Sequence, residues 1–566
     1  MKISALVFIL PLIVMTSCHQ KQKVDLILHN GVIYTVDGKF SVVQAFAVKD
    51  GKFIEAGSDD EIMRKYEASK TIDAGGKPVY PGFIDAHCHF YGYGRIRTEV
   101  DLVGCLSFKE MIDRVVKYSK TNKSPWILGR GWDQNRWPGK EFPVKDTLDK
   151  LFPNMPVYLA RIDGHAALVN QKALDLAEID HFTAIDGGTI VDKFLWKKHP
   201  ARLGKFYSFI EGKLISKDTL VFEEIPTGVL VDNATDLVKK VIPPPTKEEM
   251  RQYLLQAQAD CSKVGLTTVD DAGLDKDVID LIDEMQKKGE LKMRIYAMAS
   301  GTPENLDYYL SHGIIKTDRL HVCCFKFYAD GALGSRGACL LKPYLDKPDQ
   351  QGFLLNPPDF YKGAAKRIAN SPFQMATHCI GDSANRFILQ VYAEVLRLGN
   401  DRRWRIEHAQ IVNENDFEMF GKYNILPSMQ PTHATSDMYW AKDRIGAERL
   451  KGGYALKRLL AENKVLPTGS DFPVESINPL FGFYAAVSRQ DSVGFPVGGF
   501  QSENALNREE ALKGMTIWAA YSNFEEHEKG SIEPGKWADY VILDKDIMQI
   551  PIKEVRNVKV VTNSLK

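Results

Sequence analysis

The chain has 566 residues, of which 44% are hydrophobic and 26% are charged, and both fractions are typical of a globular protein. Lysine plus arginine and aspartate plus glutamate number 73 each, so the charge balance gives no basis for nucleic-acid binding and no nucleic-acid partner is expected. The length exceeds that of one ordinary domain, although a large barrel with additions accommodates most of it.

The first residues have the pattern of an export signal. Lys2 precedes an almost uninterrupted apolar run from Ile3 to Met15, which is too short to span a bilayer comfortably. Ser17 and Cys18 then resemble a bacterial lipoprotein lipobox, with Met15 where leucine is usual; simple cleavage near Ser17 is the alternative. We therefore interpret residues 1–23 as a signal peptide with a lipobox and a tether. We expect an exported protein, either periplasmic or held at a membrane only through lipid on Cys18.

Both ends of the chain contain short alternating apolar runs, which are typical of β-strands. Asp37-Gly38 and Asp50-Gly51 are hairpin signals near the N-terminus, and residues 539–544 and 558–561 are β-rich near the C-terminus. The simplest arrangement joins residues 24–78 and 528–566 into one small β-sandwich domain.

The middle of the chain has the rhythm of an α/β barrel. Thr246 and Glu249 have capping-box spacing and predict an amphipathic helix to about Lys263. Eight β-rich segments alternate with helical patterns, which predicts a (β/α)8 TIM barrel over residues 79–94 and 243–527. These segments end near residues 89, 270, 297, 328, 378, 408, 429 and 471. Residues 95–242 break the rhythm and are interpreted as a large insertion after the first barrel strand that covers the active site.

Potential metal ligands follow several of these predicted strands. His87 and His89 end the first strand, and side chains two residues apart on a strand point to the same face. His378 and His408 end the fifth and sixth strands, and Asp471 ends the eighth. The carboxyl ends of barrel strands meet at one rim, where barrel enzymes have their active sites. Imidazole and carboxylate groups bind zinc and similar divalent ions, so the sequence predicts a metal centre there.

Lys326, on the fourth predicted strand, is unusual at a metal site because an ammonium group is repelled by metal ions. A buried lysine tends to lose its proton, and the neutral amine adds carbon dioxide to form an anionic carbamate. Such a carbamate is able to bridge two ions. A structural ion pair explains Lys326 equally simply.

Several motifs together resemble the amidohydrolase superfamily, in the branch of the YtcJ-like proteins and N-substituted formamide deformylase. The resemblance covers the chain from about Val24 to its end. The motifs are Pro81–His89, Lys326–Gly331, His378–Asp382, Arg405–Gln410, Gly469–Asp471 and Gly530–Asp539.

The resemblance implies a centre of two divalent metal ions, with zinc favoured. It assigns His87 and His89 to one ion and His378 and His408 to the other, with carbamylated Lys326 as the bridging ligand. Asp471 would contact the first ion and transfer the proton during hydrolysis.

Four further residues are weaker candidates for the site. His433 follows the seventh strand and is a candidate catalytic residue, although a surface histidine is the simple alternative. His165 in the insertion, and Asp330 and Arg336 after the fourth strand, are candidates for substrate binding.

Together with the resemblance, these patterns predict a metal-dependent hydrolase that cleaves a non-peptide carbon–nitrogen bond in a small molecule. A linear amide, of the N-acyl or N-formyl amine type, is the favoured substrate. A deaminase or cyclic-amide hydrolase on the same site is one alternative, and a non-catalytic ligand-binding surface lipoprotein is another. A homodimer is compatible with either enzymatic interpretation.

Overall fold

A computed structural model describes residues 21–122, 124–199, 208–210, 213–215 and 219–565. The predicted signal peptide, with Cys18 in it, lies outside these ranges, apart from its last three residues. No helix within them is long and apolar enough to cross a membrane.

The central element is a parallel sheet of seven strands that curves into a nearly closed barrel. In spatial order the strands are Phe83–Cys88, Leu266–Leu274, Arg294–Ser300, Leu320–Tyr328, Gln374–His378, Arg405–Glu407 and Leu426–Ser428. Ile315–Lys316 pairs antiparallel to the fourth of these strands. The order follows the chain, as the βα repeats in the sequence predict.

The eighth expected strand is present as a segment but is not a regular strand. The amide of Gly469 donates to Met429 O at 3.0 Å on one side, and the amide of Ala86 donates to Thr468 O at 3.3 Å on the other. Pro467 lacks an amide hydrogen, so it cannot take part as a donor. Seven regular strands and one irregular segment therefore close the ring, in place of eight strands.

Helices on the outside of the barrel cover its apolar strands. The helix Lys247–Lys263 begins at Thr246, and the capping box between Thr246 and Glu249 is present as predicted. The other helices from here to the C-terminal sheet are Lys276–Lys287, Pro303–His312, Pro358–Ala369, Asp382–Val395, Phe417–Lys422, Pro431–Asp437, Ala441–Leu450, Leu456–Asn463, Pro479–Ser488, Arg508–Gly514 and Ile517–Ser522, with short 3-10 turns at Ser502–Asn504 and Ile552–Asn557.

Two sheets contain strands from the chain ends. One consists of Lys52–Gly57, Ala45–Lys49, Gln22–His29 and Tyr66–Asp73, with the helix Asp59–Lys65 between the outer two in sequence. The other consists of Val560–Asn563, Tyr540–Leu543, Pro78–Pro81, Val32–Tyr34 and Val42–Val43. Phe46 and Phe53 of the first sheet pack in one apolar cluster with Val79 and Ile542 of the second. Pro78–Pro81 leads directly into the first barrel strand.

Residues between the first barrel strand and the helix Lys247–Lys263 form a further sheet, called the inserted sheet below. Its strands, in spatial order, are Gly188–His199, Thr219–Asp232, Ala166–Val169, Val157–Arg161, Ile127–Trp132 and Val100–Asp101. A separate pair, Ser208–Ile210 and Lys213–Ile215, lies beyond it, and the helices here are Phe90–Ile96, Phe108–Ser119, Asp146–Leu151, Gln171–Leu176 and Ala234–Lys239, with a 3-10 turn at Gln134–Arg136. Trp132 and Trp137 are buried in its core, with ring centroids 6.0 Å apart. The domain boundaries given above stay a prediction.

Candidate metal centre

The end of the first barrel strand brings three potential ligands together. His87 Nε2 lies 3.4 Å from Asp471 Oδ1, and His89 Nε2 lies 3.2 Å from the same oxygen. The ligand atoms of all three side chains lie within 4.8 Å of one another. Two imidazoles and a carboxylate at this spacing form a ligand set that is able to bind a divalent ion.

The backbone of the irregular eighth segment delivers Asp471 to this position. Asp471 has φ of 60°, and its amide donates to His87 O at 2.7 Å. Glycine is required at position 469, because a Cβ there would lie 2.4 Å from the backbone nitrogen of His87. The carboxylate of Asp85 accepts from Ser470 Oγ at 2.6 Å and ties the same turn to the first strand.

The other three predicted ligands lie next to this group. The ring centroid of His408 is 4.8 Å from that of His87 and 4.5 Å from that of His378. Lys326 is buried on the strand that pairs with the His378 strand, where Tyr328 lies opposite His378 in the register. The structure thus brings all six sequence-predicted metal ligands to one rim of the barrel.

Several polar atoms in this group are buried without a hydrogen-bond partner among the described residues. They are His87 Nε2, His378 Nε2, Lys326 Nζ, Asp471 Oδ1 and His433 Nε2. Unpaired buried polar atoms are costly, so a cluster of them indicates a missing partner. The donor set therefore fits divalent metal ions.

Hydrogen bonds from outside the ligand set fix the orientation of three imidazoles. His87 Nδ1–H donates to Glu407 Oε2 at 2.5 Å, and His89 Nδ1–H donates to the Ala272 carbonyl at 3.0 Å. His408 Nδ1–H donates to Gln430 Oε1 at 2.7 Å. Each contact places the proton on Nδ1 and leaves the Nε2 lone pair free for a metal ion. The sequence reasoning missed Glu407 and Gln430, although Glu407 directly precedes His408.

The electrostatics of four ligands agree with this role, whereas burial of His87 is outweighed by contacts with Glu407 and Asp471, which raise its pKa. Burial lowers the pKa of His378 and of His408 well below the usual value, so both imidazoles are neutral. Burial lowers the pKa of Lys326 to about 8. Burial raises the pKa of Asp471, but contacts with His87 and His89 outweigh it and hold that pKa well below its usual value. Asp471 is therefore an anion at neutral pH.

His165 and His433 lie at the same site. The ring of His165 is 5.0 Å from that of His378, and its Nδ1–H donates to Asp232 Oδ1 at 2.8 Å. His433 Nε2 lies 3.7 Å from Asp471 Oδ2. Both histidines line the large cavity above the barrel rim, which measures about 1930 Å³.

Asp330 and Arg336 are placed differently from their predicted position. The Asp330 carboxylate is fully buried and accepts from the amides of Ile380, Gly381 and Cys339 at 2.8 to 2.9 Å. Arg336 pairs with Asp346 at 3.0 Å. Neither residue is among those that line the cavity, because these neighbours hold both side chains in the surrounding loops.

A family model described as "Amidohydrolase family" matches residues 70–197 and 220–563. The chain belongs to the amidohydrolase family. The match covers the barrel, most of the intervening segment and only part of the two sheets at the chain ends.

Relatives of known sequence cover nearly the whole chain. "Protein LONG AFTER FAR-RED 3" of Arabidopsis thaliana is 31% identical over 92% of this chain and 87% of its own length. YtcJ of Bacillus subtilis (strain 168), named as an amidohydrolase, is 30% identical over 92% of this chain and 94% of its own. The N-substituted formamide deformylase of Arthrobacter pascens is 25% identical over 95% of this chain and 96% of its own. These matches confirm the resemblance to that branch of the superfamily.

Two crystal structures of uncharacterized metal-dependent hydrolases share this architecture. The protein from Pyrococcus horikoshii OT3 has a TM-score of 0.73 and 27% identity, and the alignment covers 93% of this chain and 99% of that one. The protein from Pyrococcus furiosus has a TM-score of 0.69 and 28% identity, with 93% and 100% covered.

Proposed function

We propose that this protein is a metal-dependent amidohydrolase that cleaves a non-peptide carbon–nitrogen bond, of the linear amide, N-acyl or N-formyl amine type. The observation that carries the proposal is the convergence of His87, His89 and Asp471, with ligand atoms within 4.8 Å of one another at a barrel rim. The formamide deformylase named above acts on bonds of this class, and it aligns with 95% of the chain.

The proposed centre holds two divalent ions, with zinc favoured by the imidazole-rich donor set. His87, His89 and Asp471 would hold one ion, and His378 and His408 the other. When bound, such ions polarise a carbonyl group and make a water molecule more acidic.

Lys326 is proposed to be the bridging ligand after carbamylation. Its buried Nζ has no hydrogen-bond partner among the described residues, and its pKa of about 8 leaves part of it neutral near physiological pH. The neutral amine adds to carbon dioxide, a new N–C bond forms, and one proton is released to solvent. The product carries a negative charge, which suits a position between two cations better than an ammonium group does.

Asp471 is proposed to be the general base and acid. Because its low pKa keeps it ionised, it is able to take a proton from water as the carbonyl carbon is attacked. It then returns the proton to the leaving nitrogen, so that the amine departs neutral. We propose that His433 donates a hydrogen bond to the substrate oxygen, because its Nε2 lies 3.7 Å from Asp471 Oδ2 and burial lowers its pKa.

Three measurements on the purified protein test this proposal. Metal analysis is expected to find about two divalent ions per chain, and one ion or none would contradict the binuclear centre. A panel of N-acyl and N-formyl amines is expected to contain hydrolysed members. A metal-loaded protein that releases no amine from any of them would contradict the activity. Electron density at Lys326 in crystals of the metal-loaded protein tests the carbamate, and an unmodified side chain would refute the bridge.

We further propose export and lipid attachment at Cys18, on the sequence pattern alone. The Cys18→Ser variant is expected to move from the membrane fraction to the soluble fraction. A wild-type protein that is already soluble after cell fractionation would refute the anchor.

A further inference from the structure

Arg130 lines the cavity above the metal centre and has no carboxylate partner among the described residues. It lies on the strand Ile127–Trp132 of the inserted sheet. Its Nη2 donates to the carbonyl of Ile162 at 2.8 Å, while its Nε is buried and has no hydrogen-bond partner in the part of the chain that the structure describes. An arginine has five N–H donors, so most of this hydrogen-bonding capacity is unused.

Arg161, a second arginine that lines the same cavity, has carboxylate partners for its guanidinium. Arg161 donates to Asp133 and to Asp163, one carboxylate on each side, and its Nε donates to Gln134 at 2.8 Å. Asp163 also accepts a hydrogen bond from the amide of His165 at 3.0 Å, so both of its carboxylate oxygens already have a donor. Arg130 therefore has no such carboxylate available from its own surroundings in the described ranges.

The charge of Arg130 carries an uncompensated cost. Burial lowers its pKa, and the more distant Asp163 only partly offsets this effect. An arginine nevertheless stays protonated in proteins, so an anion beside it would offset this cost. The cavity is the side from which such an anion is able to arrive.

The position of the guanidinium connects it to the metal centre. A Cβ at Gly164 would lie 3.0 Å from Arg130 Nη1 and 3.3 Å from Nη2, so the guanidinium rests against this glycine. The next residue, His165, has its ring 5.0 Å from that of the predicted metal ligand His378. Arg130 and His378 line the same cavity, so one ligand in this cavity is able to extend from Arg130 toward the metal centre.

We propose that Arg130 binds a carboxylate group of the substrate, so that the protein acts on carboxylate-bearing amides, with N-acyl amino acids as the simplest members. This inference rests on the proposed amidohydrolase function. A carboxylate fits because its two oxygens match the paired N–H groups of a guanidinium. The inserted sheet then selects the substrate while the barrel rim holds the reacting centre.

Isothermal titration calorimetry on the purified, metal-containing full-length protein tests the proposal. The ligands are N-benzoylglycine and its neutral carboxamide, N-benzoylglycinamide, which have nearly the same shape and no stereocentre. The acid is expected to bind roughly 10- to 100-fold more tightly than the carboxamide, as a hydrogen-bonded charge pair predicts. The Arg130→Gln variant is expected to lose this preference.

Arg136→Gln is the matched control, because Arg136 is an exposed arginine that lines the same cavity. It removes the same charge and should keep the preference for the acid. If Arg130→Gln does not fold, Arg130→Lys replaces it: a lysine keeps the charge but loses the paired N–H edge, so most of the preference should still disappear.

Two results would overturn the inference. One is equal binding of acid and carboxamide by the wild-type protein, or no binding of either ligand. The other is a preference that survives in the Arg130 variant, which would assign the carboxylate to the metal ions instead. Turnover of amides is scored separately, so a protein that hydrolyses no amide refutes the proposed function whatever the titrations show.

Discussion

Glu407→Gln is the substitution that most directly tests how the metal centre is supported. Glu407 is fully buried; its Oε2 accepts from His87 Nδ1 at 2.5 Å and its Oε1 accepts from Arg405 Nε at 2.6 Å. Glutamine has nearly the same shape but no charge. The substitution therefore removes the anion that orients His87 and that compensates Arg405.

Two magnitudes follow from these contacts. Loss of a carboxylate that supports a metal-binding histidine typically weakens metal binding by about 10- to 100-fold. Breaking a buried ion pair costs about 3 to 5 kcal/mol of stability when one charge is left alone. Arg405 keeps Asp270 at 2.9 Å and Ser428 Oγ at 3.0 Å, so we expect a loss of about 2 to 3 kcal/mol.

The assay measures metal retained during titration with a chelator, and unfolding in urea. Asp270→Asn is the control, because Asp270 pairs with the opposite side of Arg405 and bonds to Asn523 at 2.6 Å, with no hydrogen bond to a predicted ligand among the described residues. Both variants should lose stability, but only Glu407→Gln should lose metal affinity. Equal metal retention in the two variants would refute the orienting role of Glu407.

Three further predictions concern the rim of the barrel. In metal-free protein and carbon-dioxide-free buffer, Lys326→Met should raise the free energy of unfolding at pH 7 by up to about 3 kcal/mol, because a folded pKa of about 8 lies below the unfolded value of 10.5. Between these two pKa values the unfolded wild-type chain binds one proton more than the folded protein does. The free energy of unfolding of the wild type should therefore rise from pH 8 to 10.5. Urea unfolding of the variant should show no such rise. Asp471→Asn should slow amide hydrolysis by at least about 100-fold in stopped assays, and a rate near that of the wild type would reject its proton transfer. Gly469→Ala should destabilise the fold by about 1 to 3 kcal/mol through its clash with His87, whereas Gly363→Ala, on an open helix surface, should be neutral or stabilising by up to about 1 kcal/mol in the same unfolding assay.

The strand ends were predictable because the barrel rule converts sequence position into spatial position. His378 and His408 follow strands that lie side by side, so their convergence on His87 needed only the order of the strands. No contact between these histidines is visible in the linear sequence. The prediction depended on the periodic alternation of strands and helices, which the sequence displays clearly.

The supporting residues were not predictable in the same way. Glu407 reaches His87 because of the twist and stagger between two strands that are not neighbours in sequence, and a pattern of residue types does not encode that register. Asp330 has the same chemistry as Asp471 and also follows a strand, but three backbone amides occupy its oxygens. A carboxylate that binds a loop and one that faces a ligand differ only in what surrounds them.

The eighth barrel segment is predicted to be a regular strand, and local features of the sequence prevent this. Val465–Leu466 is apolar and reads as the start of a strand, but Pro467 and the close approach at Gly469 interrupt regular pairing. His165 directly precedes the strand Ala166–Val169, and its ring is held at the site by Asp232, which lies 67 positions away at the end of the strand Thr219–Asp232.

The hydrogen bond from Ser470 to Asp85 joins residues 385 positions apart, and it holds the turn that carries Asp471. Tyr540–Leu543 likewise pairs with Pro78–Pro81, the strand that leads into the barrel. A ribosome therefore completes the two histidines of the first strand long before it makes the carboxylate that completes their ligand set. The first strand is able to pair with Leu266–Leu274 once that segment has been made, but its other side stays open until the eighth segment follows. Binding of a metal ion by the complete ligand set therefore belongs among the last events of folding rather than the first.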